Sequence, residues 1–309
     1  MSIVTDIIPL GTGSAIPTRG RHLSGCALRR AGRVLLFDCG EGTQLQLLRA
    51  GVKRSRIEAI FITHFHGDHL YGLPGVLTTM ALLNRTAPLT VVGPAGLREI
   101  VQALPGLKND WLPFEVDYVE LAEGFEHAVV YETDAFTVEA RPLAHRVFAA
   151  GFRFEAKARP GRVDVAKAAA LGIVGADIGR LVRGEAVRVN GRVVQPEEVV
   201  GPSRPGVSFA YCLDTMPCDG ARALAAGVDL LVHEATFTED LRERAEETGH
   251  STARQAAEVA RDARAKRLLL THFSARYDTA EPLVAEARAV FENTEAAREL
   301  EAFCVTRDT

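Results

Sequence analysis

The stretch Phe61-Ile62-Thr63-His64-Phe65-His66-Gly67-Asp68-His69 sets four metal-binding side chains within six residues, directly behind the apolar run Ala59-Ile60-Phe61-Ile62. A β-strand that stops near Thr63 releases His64 and His66 from its tip. The two-residue period of a strand then points both imidazoles the same way. Asp68 and His69 follow on a turn loosened by Gly67, from which they can face a second ion beside the first. Imidazole with carboxylate suits Zn2+, and Mn2+ or Fe2+ are alternative occupants.

The same position recurs along the chain. His145 closes the apolar strand Phe136–Leu143, Asp214 follows the strand Val207–Cys212, His233 and Glu234 follow Leu230–Val232, and His272 follows Leu268–Leu270. In open α/β sheets such strand ends carry the chemistry. Helical stretches alternate with these strands: Thr43–Ala50, with Leu45, Leu47 and Leu48 as its apolar positions, then Leu73–Leu83, Leu97–Leu104 and Glu281–Phe291. Another opens at His250-Ser251-Thr252 and runs to about Ala265, with Thr252 and Gln255 spaced as a capping box. The class is α/β. Asp38, at a strand end before Gly40, suits either a hydrogen bond to a metal ligand or a plain turn.

At 309 residues, 47% hydrophobic and 25% charged, the chain can bury a substantial core. No stretch approaches the roughly 18 apolar residues of a membrane span. Met1–Asp6 has neither the basic nor the apolar region of a secretion signal, and five cysteines show no C-x-x-C spacing. Together these predict a cytoplasmic protein with reduced, mostly buried thiols. Net charge is −4, but Gly151–Arg204 carries ten basic and six acidic residues, +4 against −8 for everything else. That segment shows few large apolar residues, so it reads as an excursion from one domain spanning 1–309, without a core of its own. Trp111 is expected to pack rather than to stack on a base.

Several motifs carry a resemblance: Gly11-Thr12-Gly13-Ser14-Ala15-Ile16-Pro17, Phe37-Asp38-Cys39-Gly40-Glu41, Gly67 to Gly75, His233-Glu234-Ala235-Thr236, His250-Ser251-Thr252 and Thr271 to Tyr277. They resemble ribonuclease Z, the tRNA 3′-processing endonuclease family of the metallo-β-lactamase superfamily. The resemblance implies a four-layer αββα sandwich with an inserted flexible arm. It implies two Zn2+ per subunit, one on His64, His66 and His145, the other on Asp68, His69 and His272, with Asp214 bridging. Such a pair lowers the pKa of a shared water and neutralises charge in a phosphoryl displacement, with Asp68 also able to orient that water.

His250 would be the general acid for the departing ribose oxygen, positioned by Glu234. Free N–H groups at the following helix and the Ser251 and Thr252 hydroxyls would favour a phosphate. The segment 151–204 would be the tRNA-gripping arm, with Arg159, Arg180 and Arg183 on the phosphate backbone of precursor tRNA. A homodimer is implied, each arm holding the tRNA cut by the other subunit. The products would be a tRNA 3′-hydroxyl and a trailer 5′-phosphate.

Two features depart from the family. The arm stretch Gly172 to Gly179 lacks the family's prolines, and Cys212-Leu213-Asp214-Thr215 stands where Ser-Gly-Asp-Thr is usual. A small-molecule hydrolase on the same fold would need no basic arm. A non-catalytic nucleic-acid binder would lack ligands, and none is missing.

Overall fold

The computed structural model describes residues 3–108 and 111–307; Met1 and Ser2 of the N-terminal stretch and the chain's final two residues lie outside them. Strands β1 (Thr5–Gly11), β2 (Gly25–Arg30), β3 (Arg33–Cys39), β4 (Ile57–Phe61), β5 (Leu89–Pro94) and β6 (Val116–Leu121) form a first sheet in that order. It is antiparallel from β1 to β3 and parallel from β3 to β6. The second sheet contains β7 (Ala128–Glu132), β8 (Phe136–Pro142), β9 (Ala150–Ala156), β12 (Ser208–Cys212), β13 (Leu230–Glu234), β14 (Leu268–Thr271) and β15 (Thr294–Ala296), neighbours in that order. Between β9 and β12 lies the hairpin β10 (Val187–Val189) and β11 (Arg192–Val194), and β16 (Phe303–Cys304) returns to pair with β1.

Period-2 alternation builds the layers. Leu36, Ile60 and Val91 share a buried cluster with Leu47, Val76, Leu77, Met80, Leu97 and Val101 from helices Thr43–Arg49, Leu73–Leu82 and Leu97–Gln102. The alternate residues Phe37 and Phe61 stack on each other at 4.9 Å and meet rings of the second sheet, Phe209 at 5.1 Å from Phe37 and Phe152 at 5.3 Å from Phe61. On the far side of that sheet, Ala210, Leu231, Leu268 and Leu270 pack with Leu224, Ala256, Ala260 and Leu283 of helices Asp219–Ala225, Ala253–Asp262 and Glu281–Arg288. Helix, sheet, sheet and helix are thus stacked as the αββα sandwich expected. Alanines at 253, 256, 257 and 260 are fully buried; their small side chains let that helix lie close on the sheet.

Three expectations are corrected here. The segment after His145 does not leave the body at Gly151: Ala150–Ala156 is a strand of the second sheet, with Phe152 and Phe154 fully buried. Its polar alternates, Arg153 and Glu155, hide that pattern in the sequence. The separate compact unit is Asp134–Phe136 with Glu155–Gly206.

Secondly, this unit has its own small core. Ala168, Leu181, Val187 and Val194, from helices Val165–Ala170 and Ala176–Val182 and the β10–β11 hairpin, bury together with Ile173 of the link between the helices and Val199 beyond the hairpin. Small aliphatics spaced on four short pieces suffice where no large residue announces a core. Of the apolar positions of helix Thr43–Arg49, Leu47 is buried, while Leu45 and Leu48 face solvent. Thirdly, Trp111 is 64% exposed, so it does not pack as expected. Of the cysteines, Cys26, Cys39 and Cys212 are buried, but Cys218 is only partly so and Cys304 is exposed.

Candidate active site

The strand-end residues singled out in the sequence converge at one end of the two sheets, except His233, which is fully buried with its Nδ1 on the Glu234 carbonyl at 2.8 Å and joins neither donor group. His64, His66, His145 and Asp214 offer ligand atoms within 4.8 Å of one another, as do Asp68, His69 and His272. Asp214 lies between the two groups: its Oδ1 is 3.1 Å from both His69 Nε2 and His272 Nε2, and its Oδ2 is 3.6 Å from His64 Nε2. Asp38, Asp214 and His272, each just at or past a strand end, have φ of +55°, +50° and +59°. Non-glycine residues take such angles at a cost of about 1–3 kcal/mol, and the surrounding fold must hold them there.

The imidazoles of His64, His69, His145 and His272 are each fixed through the nitrogen that faces away from the centre. Asp38 Oδ2 accepts from His69 Nδ1 at 2.7 Å and from the Tyr211 hydroxyl at 3.2 Å, and Asp38 Oδ1 accepts from Thr63 N at 2.9 Å. Asp38 therefore fills both roles read for it, the turn and the hydrogen bond to a ligand. The Thr63 hydroxyl donates to Asp38 and accepts from His64 Nδ1 at 2.9 Å. Thr236 donates to Glu234 Oε2 and accepts from His272 Nδ1 at 3.0 Å. His145 Nδ1 donates to the Gly249 carbonyl at 2.7 Å. In each of these rings the other nitrogen, Nε2, faces Asp214 at the centre. Thr63, Thr236, Tyr211 and Gly249 drew no role from the sequence; a hydroxyl or carbonyl next to a ligand in space leaves no spacing signal.

Two inward atoms, His145 Nε2 and Asp214 Oδ1, are buried with no hydrogen-bond partner. Buried polar atoms without a partner are rare and need a reason. His64 Nε2 and His66 Nδ1 face each other at 2.9 Å, which suits two donors converging on one cation. The set fits divalent metal. Burial disfavours charge on Asp214, but His272, His69 and His64 outweigh it and hold the carboxyl well below its ordinary range. Burial opposes ionisation of Asp68 as well, and His272 and His69 overcome it; its Oδ2 also accepts from Ala15 N at 2.8 Å. Burial pushes His64 and His145 below the usual imidazole value, whereas Asp214 and Asp38 lift His69 well above it despite burial. The carboxylates draw positive charge into the site, and protons and metal ions compete for the same nitrogens.

Beside this cluster stands a fully buried Glu234. It accepts from Thr215 N at 2.7 Å, Thr236 Oγ1 at 2.6 Å, Ser251 N at 3.0 Å and His250 Nδ1 at 2.8 Å. Burial opposes its ionisation, and His250 outweighs that to keep it below the ordinary carboxylate range. In return, Glu234 overcomes burial of His250 and raises that imidazole to about 9. His250 sits between the candidate metal ligands His145 and His272, ring centroids 5.1 and 5.4 Å away.

The expected phosphate seat beyond His250 does not form. Ser251 and Thr252 are fully buried, the Ser251 hydroxyl donates to Thr215 O, and Thr252 caps Ala253–Asp262 in the capping box with Gln255 while donating to Glu239. The N–H groups of Ser251, Thr252 and Ala253 are also occupied, by Glu234, Gln255 and the Phe237 carbonyl. On the smaller unit, Arg180 and Arg183 are exposed, but both bind Glu185, at 3.1 and 3.0 Å. Arg159 is tied by its backbone to Arg204. Redrawn to its observed bounds, the unit carries nine basic and seven acidic residues, a weaker positive balance than the sequence segment suggested.

The fold and this donor set define a metal-dependent hydrolase of the metallo-β-lactamase superfamily. A family model described as a beta-lactamase superfamily domain matches residues 199–273, and one described as anti-Pycsar protein Apyc1 matches residues 5–111. The ribonuclease Z of Salinibacter ruber is 55% identical over 96% of this chain and 92% of its own, and that of Methanothermobacter thermautotrophicus 44% over 96% and 95%. The short form of human tRNase Z superposes with a TM-score of 0.72 at 30% identity, over 98% of this chain and all of that one. This chain belongs to the ribonuclease Z family.

Proposed function

We propose that this chain, a metal-dependent endoribonuclease of tRNA processing, removes the 3′ trailer from precursor tRNA. Cleavage would leave a 3′-hydroxyl on the tRNA and a 5′-phosphate on the trailer. The observation that carries this reading is the pairing of two donor groups, joined at Asp214, with a buried Glu234–His250 couple beside them. The residues would hold two divalent ions, Zn2+ by donor chemistry with Mn2+ or Fe2+ as alternatives: His64, His66 and His145 one, Asp68, His69 and His272 the other. Such ions, when bound, activate water and neutralise charge on a phosphoryl group.

The chain's own residues do the rest. Asp68, fixed by Ala15 N–H, orients the attacking water. His250, kept protonated by Glu234, gives its proton to the departing ribose 3′-oxygen, a poor leaving group that needs one. Arginines on the unit Glu155–Gly206, the half-buried Arg159 among them, supply phosphate contacts, and a homodimer lets one subunit's arm serve the other's site.

Metal-loaded protein incubated with precursor tRNA, with the 3′ ends mapped and the metals counted, tests the reading. A single cut 3′ to the discriminator nucleotide supports it. Hydrolysis of small phosphodiesters with no tRNA cleavage would assign the site to a small-molecule hydrolase instead.

A further inference from the structure

Beside His66 a groove of about 440 Å³ opens, walled by Phe65, Pro94, Leu121, Val147 and Phe148, with Glu123 as its one ionisable neighbour apart from His66. Its volume falls within the roughly 300–1,000 Å³ usual for small-molecule sites. The walls are apolar yet stay partly open: Phe65 and Phe148 are half-buried and Val147 is 44% exposed. Phe148 is braced from behind by Phe125, ring centroids 5.7 Å apart. The groove is continuous with the metal centre because His66 belongs to both. Arg146 stands exposed between the metal ligand His145 and the wall residue Val147.

Resting on the nuclease reading, we infer that this groove is a nucleobase subsite: it takes the base of a nucleotide next to the scissile phosphodiester, with Arg146 on the adjoining phosphate. A flat, apolar ring with polar edges suits aromatic walls and a single carboxylate, and stacking accepts any base. Glu123 accepts from an exocyclic amine at the rim. The base comes from one of two places, the last nucleotide of the mature tRNA or the first of the trailer.

The test compares the parent with Phe148→Ala and Val147→Trp, which respectively remove and fill the slot, on three precursor tRNAs. One is intact, one is abasic at the last tRNA nucleotide, and one is abasic at the first trailer nucleotide. On intact substrate each variant should lose roughly 5- to 150-fold in kcat/KM, the range expected for one stacked base. On the abasic substrate whose base occupies the groove, parent and variants should cleave equally slowly, which also identifies the nucleotide. An unchanged penalty on all three substrates would mean the aromatic wall only packs, and the subsite would be wrong. No cleavage of intact substrate by the parent would instead overturn the nuclease reading. Metal content and thermal midpoint separate either result from misfolding, and Val147→Trp, at an exposed position, keeps the test open if Phe148→Ala fails to fold.

Discussion

At the scale of single residues, Asp214 touches both donor groups. Asp214→Ala should lower metal content and abolish hydrolysis of both precursor tRNA and a simple phosphodiester; full occupancy by elemental analysis with retained activity would sink its bridging role. Asp38→Ala removes the acceptor that holds His69 Nδ1, and metal affinity should fall about 10- to 100-fold in a chelator competition. His250→Ala should keep the metals and slow tRNA cleavage by about 10²–10⁴-fold, with a much smaller loss on an ester whose leaving group is nitrophenolate. Equal losses on both would count against proton donation.

Glu234→Gln tests the couple through pH. The His250 imidazole is raised to about 9, above its unfolded value of about 6.5. The pair's contribution to stability is therefore full below about 6.5 and lost as pH rises through the folded value. A general acid likewise fails as it deprotonates. Glu234→Gln should move the alkaline limb of kcat toward lower pH and flatten stability across the same window. A superimposable pH profile would refute the coupling.

At the scale of elements, glycines let pieces of backbone approach the site. Gly249 ends helix Arg242–Thr248 with φ +75°, and a Cβ there would lie 2.9 Å from His145 Nδ1, the atom its own carbonyl binds. Gly249→Ala should combine a strained backbone with a displaced metal ligand, costing about 1–3 kcal/mol in denaturant unfolding and lowering metal content. Normal metal content would mean the ring shifts without consequence. Gly72 plays a similar part, since a Cβ would come within 2.0 Å of Gly40 O and push the turn after Asp38 away from the helix that carries Asp68 and His69.

At the scale of the whole molecule, the division into two compact units decides how the arm can be removed. Strand β9 belongs to the second sheet, so a deletion starting at Gly151 takes away Phe152 and Phe154 and should prevent folding. Ala156 and Gly206 pass in contact, a Cβ on Gly206 lying 1.7 Å from Ala156 O, so a short Gly/Ser linker replacing residues 158–204 closes the gap. That variant should keep its metals and hydrolyse a small phosphodiester. It should lose precursor tRNA cleavage through weaker binding with a flatter salt dependence. Unchanged tRNA processing would make the smaller unit a solvated flap.

What the sequence determined by itself is what local spacing and alternation encode. His64, His66, Asp68 and His69 are close in the chain, and His145, Asp214, Glu234 and His272 each follow an apolar strand, so the candidate site and the α/β class were legible together. The capping box at Thr252 and Gln255 was legible for the same reason, being a contact three residues long. Only the tertiary structure decided what each group is free to do. Ser251 and Thr252 look available as a sequence, but Thr215 and Glu239 arrive from elsewhere in the chain to occupy their hydroxyls. Arg180 and Arg183 look like phosphate contacts until Glu185 folds back between them. The strand at Ala150–Ala156 and the small core around Ile173 and Leu181 escaped because burial there comes from partners distant in sequence. Tyr211 reaching Asp38 across the sheets belongs to the same class: long-range contacts carry no periodicity, and they set the protons and orientations on which the chemistry depends.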